Sequence, residues 1–232
     1  MRFVTSLSPG RIERQLRCID SWAKYGLEIV AVQTERESDS IESLYKMVSV
    51  VRVPERANAW GRPHLPRIVD VINQCDDGPI VIINSDIEIT DSVETFRDQW
   101  MTERDGLVLG IRRDYTEGST PKLTPYGIDA FKITPELWHI FDVDAGFCIG
   151  APGWDYWVPF LVWREKLPIV VSSSVLLHEN HAMAYSSKDI KIAYQLLTDD
   201  CLMPGESMSV LIQHITGRTG MRRTVADRKA RR

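Results

Sequence analysis

No run of eighteen uncharged apolar residues occurs in the 232-residue chain, which excludes a membrane-spanning helix from the reading. Cysteine is sparse: Cys18, Cys75, Cys148 and Cys201 sit in apolar or helical contexts, with no pair at CxxC spacing. That argues against a zinc site or a disulfide frame and leaves buried thiols of a reducing compartment. Met1-Arg2-Phe3-Val4 leads straight into polar sequence, so no secretory signal is visible and a cytoplasmic protein is expected. Internal repeats and low-complexity linkers are missing too, which points to one domain.

What is present is ordinary globular composition, 44% apolar and 26% charged, enough for a sizeable core. The net charge of −4 is unevenly spread. Residues 217–232 hold seven Lys/Arg against one Asp, a local +6, so the preceding chain carries −10. Such a tail either stays solvated or meets a polyanion.

The chain is organised around Pro79-Ile80-Val81-Ile82-Ile83-Asn84-Ser85-Asp86-Ile87-Glu88-Ile89. Four consecutive β-favouring apolar residues predict a strand buried on both faces of a parallel sheet. Asn84, Asp86 and Glu88 then recur at every second position. In an extended chain these side chains point the same way, at the carboxyl end of a central strand where open α/β sheets place ligands. Oxygen groups so gathered suit Mg2+ or Mn2+. The alternative is a polar turn before a capped helix.

Around this stretch, strand and helix alternate four times in the first ninety residues. Strands are predicted at Phe3 to Leu7, Ile29 to Val32, Val48 to Val53 and the central run. Helices are predicted from a Ser8-Pro9 start to Gly26, over Ile41 to Met47, and around Ile68, Val69 and Ile72. The alternation predicts a doubly wound α/β sheet. Further on, Asp91 to Met101 reads as a helix and Leu107 to Ile111 as a strand. Asp114 to Pro125 reads as a polar lid loop, and Ile128 to Ile133 as another strand. Pro168 to Leu177 is strongly β and ends in His178-Glu179-Asn180-His181, with helices over Ser186 to Leu197 and Glu206 to Ile215.

Two more stretches carry chemistry-bearing side chains. His178 and His181 follow a strand end; His-Glu-x-His is one residue short of the metalloprotease helix motif, so a zinc protease is discounted. Asp155 stands among Trp154, Tyr156 and Trp157. A carboxylate set among rings has its pKa pushed up and suits a general base, or else it caps the helix that follows.

Taken in order, Phe3-Val4-Thr5-Ser6-Leu7, Ile83-Asn84-Ser85-Asp86-Ile87, Gly153-Trp154-Asp155 and His178-Glu179-Asn180-His181 resemble the GT-A glycosyltransferases, the family-2-like branch especially. The resemblance spans roughly residues 2 to 200. It implies a GT-A domain over 1–216, with a nucleotide-binding half (1–90) and an acceptor half (91–216), followed by the basic tail. It also implies a nucleoside diphosphate sugar donor, commonly UDP-linked, and Mn2+ or Mg2+ as cofactor.

The residue roles come from the same resemblance. Asn84 stands where the family's first Asp is expected, so Asp86 takes the metal role together with one of His178 and His181. Thr5, Ser6 and Leu7 would lie against base and ribose with Glu35 or Gln33, and Arg56, Asn58, Arg67, Asn84 and Ser85 near the donor. Asp155 would deprotonate the acceptor hydroxyl, with Trp154, Tyr156 and Trp157 as stacking faces. The acceptor stays open between a glycan and, from the charge of the tail rather than the resemblance, a modified DNA base or other nucleic acid. Two rivals stand beside this reading. A sugar-nucleotide nucleotidyltransferase should show a Gly-rich basic loop after strand one, where this chain has Ser8-Pro9-Gly10-Arg11. A non-catalytic nucleotide- or carbohydrate-binding module would be favoured by Asn84.

Overall fold

Strands β1 (Arg2–Thr5), β2 (Glu28–Thr34), β3 (Ser49–Val53) and β4 (Ile80–Ile83) run parallel, β1 lying between β2 and β4 and β3 at the edge. The computed structural model describes residues 1–75, 78–103, 105–181 and 185–200. The helix expected over 206–215, the boundary at 216, Cys201 and the basic tail with its nucleic-acid contact lie outside the described residues.

Side chains of the parallel strands alternate between two apolar layers. Val4, Ile80 and Ile82 pack on one side of the sheet, and Phe3, Val81 and Ile83 on the other. That double burial is why β4 reads as an unbroken apolar run. Strands β5 (Ile87–Ile89), β6 (Leu107–Tyr115), β7 (Lys122–Ile133), β8 (Ile169–Val171) and β9 (Leu176–Glu179) complete a mixed sheet. Its order is β3-β2-β1-β4-β7-β6-β9-β5, with β8 also paired to β6. β7 enters antiparallel to β4, β6 antiparallel to β7, and β5 antiparallel to β9.

Helices cover both faces. α1 (Ile12–Ala23) and α2 (Glu35–Leu44) pack on the Phe3 side, and α3 (Ile68–Ile72) on the Val4 side. α4 (Val93–Phe96) joins the first group; α5 (Pro135–Trp138), α6 (Trp154–Arg164) and α7 (Ser187–Asp200) join the second. The result is an α/β domain of GT-A-like architecture. Cys18 and Cys148 are buried free thiols, and no helix among the described residues is long and apolar enough to cross a membrane.

Local chemistry moves several boundaries. Residues Gln15, Cys18, Ile19 and Trp22 form the buried stripe of α1. The helix starts at Ile12, not after Ser8, because buried Gln15 gathers the preceding loop: its Oε1 accepts from the Ser8 N–H at 2.9 Å and its Nε2 donates to the Ser8 carbonyl at 3.0 Å. α2 begins at Glu35, earlier than the apolar pattern suggests. Glu35 and Glu37 suit its first turn, near the positive end of the helix dipole, while only Ser38 and Ile41 are buried.

The largest departure is the expected lid. Residues 114–125 are the facing ends of β6 and β7, joined by a turn in which the Ser119 N–H donates to the Thr116 carbonyl at 2.9 Å. Of the polar residues that suggested a loop, Asp114, Lys122 and Thr124 lie on the strands, where Asp114 pairs with Arg112 and accepts from the Thr124 hydroxyl, and 116–121 form the connection.

Candidate active site

A cavity of about 480 Å3 opens at the carboxyl ends of β1 and β4, lined by Ser6, Asp86, Asp129, Asp155 and His178 among others. A larger hollow of about 1380 Å3 lies at the opposite end of the sheet, beside Met1, Pro79 and Lys132. Open α/β sheets bind ligands at strand carboxyl ends, and the smaller cavity holds the chemistry.

Its first feature is a cluster of donors. After β4 the chain does not stay extended. The Ile87 N–H donates to the Asn84 carbonyl at 3.2 Å, forming a turn over 84–87. β5 then pairs with β9, setting Ile87 opposite His178 and bringing Asp86 beside the ring. Asp86 Oδ2 lies 3.4 Å from His178 Nε2 and 3.1 Å from His181 Nε2, and the two Nε2 atoms are 3.3 Å apart. Ligands about 2.1 Å from one ion at tetrahedral or octahedral angles lie about 3.0–3.4 Å from each other. The triangle therefore fits one face of a metal coordination shell. A carboxylate with two imidazoles is a donor set for borderline first-row cations, with Mn2+ a better match than Mg2+. Sequence left open which histidine belongs; the structure brings both within the same 4.8 Å group. Glu88 is elsewhere, on β5 beside Arg17 and Lys24.

The electrostatics follow from these contacts. Burial acts to raise the Asp86 pKa, but hydrogen bonds from His178 and His181 outweigh it and hold the carboxyl well below its usual range. Burial acts to lower that of His178, and Asp86 reverses this, so the ring titrates above its ordinary value. Arg11 donates to the His181 ring, with Nη1 2.9 Å from Nδ1.

A second set of charges lies beside the first. Arg112 on β6 donates through Nε to Asp114 Oδ1 at 2.8 Å and through Nη1 to Asp129 Oδ2 at 3.0 Å. Asp114 in turn lies 2.9 Å from His178 Nδ1. Asp129, 3% exposed, accepts from the Asn84 side-chain amide. The Asn84 side-chain amide nitrogen is thus taken by Asp129, while the residue still lines the cavity.

On a further wall, Gly153 (φ 104) starts α6 and Asp155 is its second residue, so Asp155 is not the N-cap. Its Oδ1 accepts from the Gly153 N–H at 3.2 Å. Burial, reinforced by the negative charge of Asp129, pushes the Asp155 pKa up to about 7. The flanking rings divide. Trp154 is 2% and Trp157 0% exposed, packed against Phe131 and against Phe141 and Phe147 respectively, so neither presents a free stacking face. Tyr156 is only partly buried and lines the cavity.

Of the donor-side candidates, Ser6, Asn84 and Ser85 line this cavity. Thr5 and Leu7 are buried beneath it, with Gln33 Nε2 donating to the Leu7 carbonyl at 3.0 Å. Glu35 is exposed at the start of α2 and is not among the lining groups. Arg56 pairs with Asp70 at 3.3 Å, Arg67 donates to the Ala57 carbonyl, and Asn58 ties its own loop to Arg62. None of these three lines the cavity. Sequence reasoning weighed Arg11 only for the nucleotidyltransferase alternative and missed Arg112, Asp114, Asp129 and Tyr185 as lining or supporting groups. For Asp129 the signal was present: a carboxylate in the apolar strand run Ile128-Asp129-Ala130-Phe131 requires a buried partner.

No family model matches the chain, and no curated protein matches it. Solved structures similar to it include the inositol-1-phosphate CTP transferase from T. maritima, at TM-score 0.46 and 12% identity, covering 88% of this chain and 98% of that one. A putative glucose-1-phosphate thymidylyltransferase from Bacillus anthracis gives 0.46 and 10%, over 88% and 97%. S. aureus TarS gives 0.45 and 11%, over 98% of this chain and 45% of that one. These are loose likenesses in the path of the chain, and no activity is transferred on them.

Proposed function

We propose that this protein is an enzyme acting on a nucleoside diphosphate sugar with a divalent cation, and that it transfers the sugar to an acceptor hydroxyl. One observation carries the reading: a carboxylate with its pKa near 7 and an Asp-His-His donor triangle line the same cavity at the strand carboxyl ends.

In this reading Asp86, His178 and His181 hold Mn2+ or Mg2+, which when bound offsets charge developing on the departing diphosphate. Ser6 and Ser85 contact the donor, over a floor formed by Thr5 and Leu7. Asp155 takes the proton from the acceptor hydroxyl as that oxygen attacks the anomeric carbon, and Tyr156 borders the acceptor. Asp129, the carboxylate nearest in effect to Asp155, is held by Arg112 and Asn84, which favours Asp155 as a lone base and a single displacement with inversion. The test is incubation with Mn2+ and a panel of nucleoside diphosphate sugars, reading release of the nucleoside diphosphate with and without small glycans. Release that depends on Mn2+ and on Asp155 is expected; no release from any donor counts against the reading.

A nucleotidyltransferase reading has its own observation. Arg11, in a left-handed conformation (φ 56) shortly after β1, reaches the cavity where that chemistry needs a basic group against a triphosphate. Pyrophosphate release from a nucleoside triphosphate plus a sugar 1-phosphate would favour it over glycosyl transfer.

A further inference from the structure

The hairpin read in sequence as a lid carries charged side chains into the site. Arg112 and Asp114 are two apart on β6 and so share a face. Register shifts fall between Gly110 and Ile111 and again between Ile111 and Arg113 in the β6–β7 pairing, the second at Arg112 itself, as is common where a strand re-aims side chains beside a site. On its other edge β6 pairs with β9, and Asp114 stands directly beside His178 in that register. The Asp114 carboxylate is fully engaged: Oδ1 contacts His178 Nδ1 and receives Arg112 Nε, and Oδ2 receives the Thr124 hydroxyl. Gly127 across the hairpin leaves room for this, since a Cβ there would lie 2.7 Å from Arg112 Cγ and 2.8 Å from its Nε.

We propose that Asp114 is a positioning residue for His178, with Arg112 as the strut that holds it. By accepting the Nδ1–H at 2.9 Å, the carboxylate leaves Nε2 as the ring atom that faces the cation site shared with Asp86, and it fixes the angle of the ring. Arg112 anchors Asp114 and, through Asp129, the Asn84 amide, so one guanidinium braces both the donor triangle and the turn that bears Asp86. Carboxylates behind ligating histidines act in this way, and their loss typically weakens metal binding about 10–100-fold. The inference rests on the donor-triangle reading above.

Calorimetric titration of the full chain with Mn2+ alone tests it, beside thermal unfolding. The wild-type protein binds Mn2+; if it does not, the triangle itself is misread. Asp114→Ala binds Mn2+ about 10–100-fold more weakly, and Asp114→Asn, which keeps an oxygen facing Nδ1, recovers part of the loss. In a His178→Ala background the Asp114→Ala change has no additional effect on affinity, because its route has been removed. Unchanged affinity in Asp114→Ala, or additive losses in the double variant, overturns the positioning role while leaving the metal site intact. Should these variants not fold, nitrogen NMR of the wild-type protein loaded with diamagnetic Zn2+ decides: metal on His178 Nε2 with the proton on Nδ1 is expected, and metal on Nδ1 overturns it.

Discussion

Asn84 and Asp129 are joined twice: the Asn84 backbone N–H donates to the Asp129 carbonyl at 3.0 Å, and its side-chain amide donates to the Asp129 carboxylate. The position where an acidic pair would carry its first Asp thus faces a buried carboxylate. An aspartate there sets two negative groups at hydrogen-bond distance. Asn84→Asp is expected to destabilise the fold by about 1–3 kcal/mol and to weaken Mn2+ binding. Denaturant melts at pH 8 check the first effect; equal or greater stability in the variant would contradict it.

Asp155 should carry the proton transfer. Asp155→Asn keeps the size and the contact with the Gly153 N–H, so donor binding stays nearly unchanged while turnover falls by ~10²–10⁴-fold. Steady-state kinetics beside a nucleoside diphosphate titration separate the two. A variant with full turnover removes Asp155 from the chemistry.

The same residue sets a pH profile. With its pKa at about 7 the base form accumulates as pH rises, so the rate climbs through that value and levels above it. The stability sign is the reverse. Because the folded pKa exceeds the ordinary 3.8, the native state holds the extra proton between those values, and this group's contribution is lost as pH rises toward 7. Asp155→Asn should flatten the acidic limb of the rate profile. An unshifted limb would assign the ionisation to another group.

Cation dependence should follow Asp86. Chelation is expected to abolish activity, and Mn2+ to restore it better than Mg2+, given two nitrogen donors. Asp86→Ala should lose measurable Mn2+ binding; calorimetry showing wild-type affinity would move the site elsewhere.

Gly153 is a packing test. Its φ of 104 is poorly tolerated by other residues, and a Cβ there meets Phe147 Cε1 at 3.0 Å and Ala193 Cβ at 3.1 Å. Gly153→Ala should cost about 1–3 kcal/mol and shift the start of α6, lowering activity through misplacement of Asp155. Unchanged melting and turnover would show the turn to be more yielding than its contacts imply.

Legibility tracks the range of the interactions. Ile80 to Ile83 and the buried stripe of α1 are local patterns, set by which faces a strand or helix buries, and they can be read without knowing the partner. Asp86 was readable because it sits at the end of such a pattern. Asp114 was not: its partner His178 is 64 residues away, and in isolation a charged strand end resembles a loop. Trp154 and Trp157 misled for a related reason, since an aromatic beside an acid looks like a binding face until its packing neighbours are known.

By itself, then, the sequence determined the alternation of strand and helix, the central buried strand and the short list of carboxylates and histidines worth suspecting. Tertiary structure alone decided which of them meet. The pairing of β5 with β9 and of β6 with β9 closes Asp86, His178, His181 and Asp114 into one cluster. Strand register across distant segments is a cooperative outcome of core packing, and no local stretch encodes it.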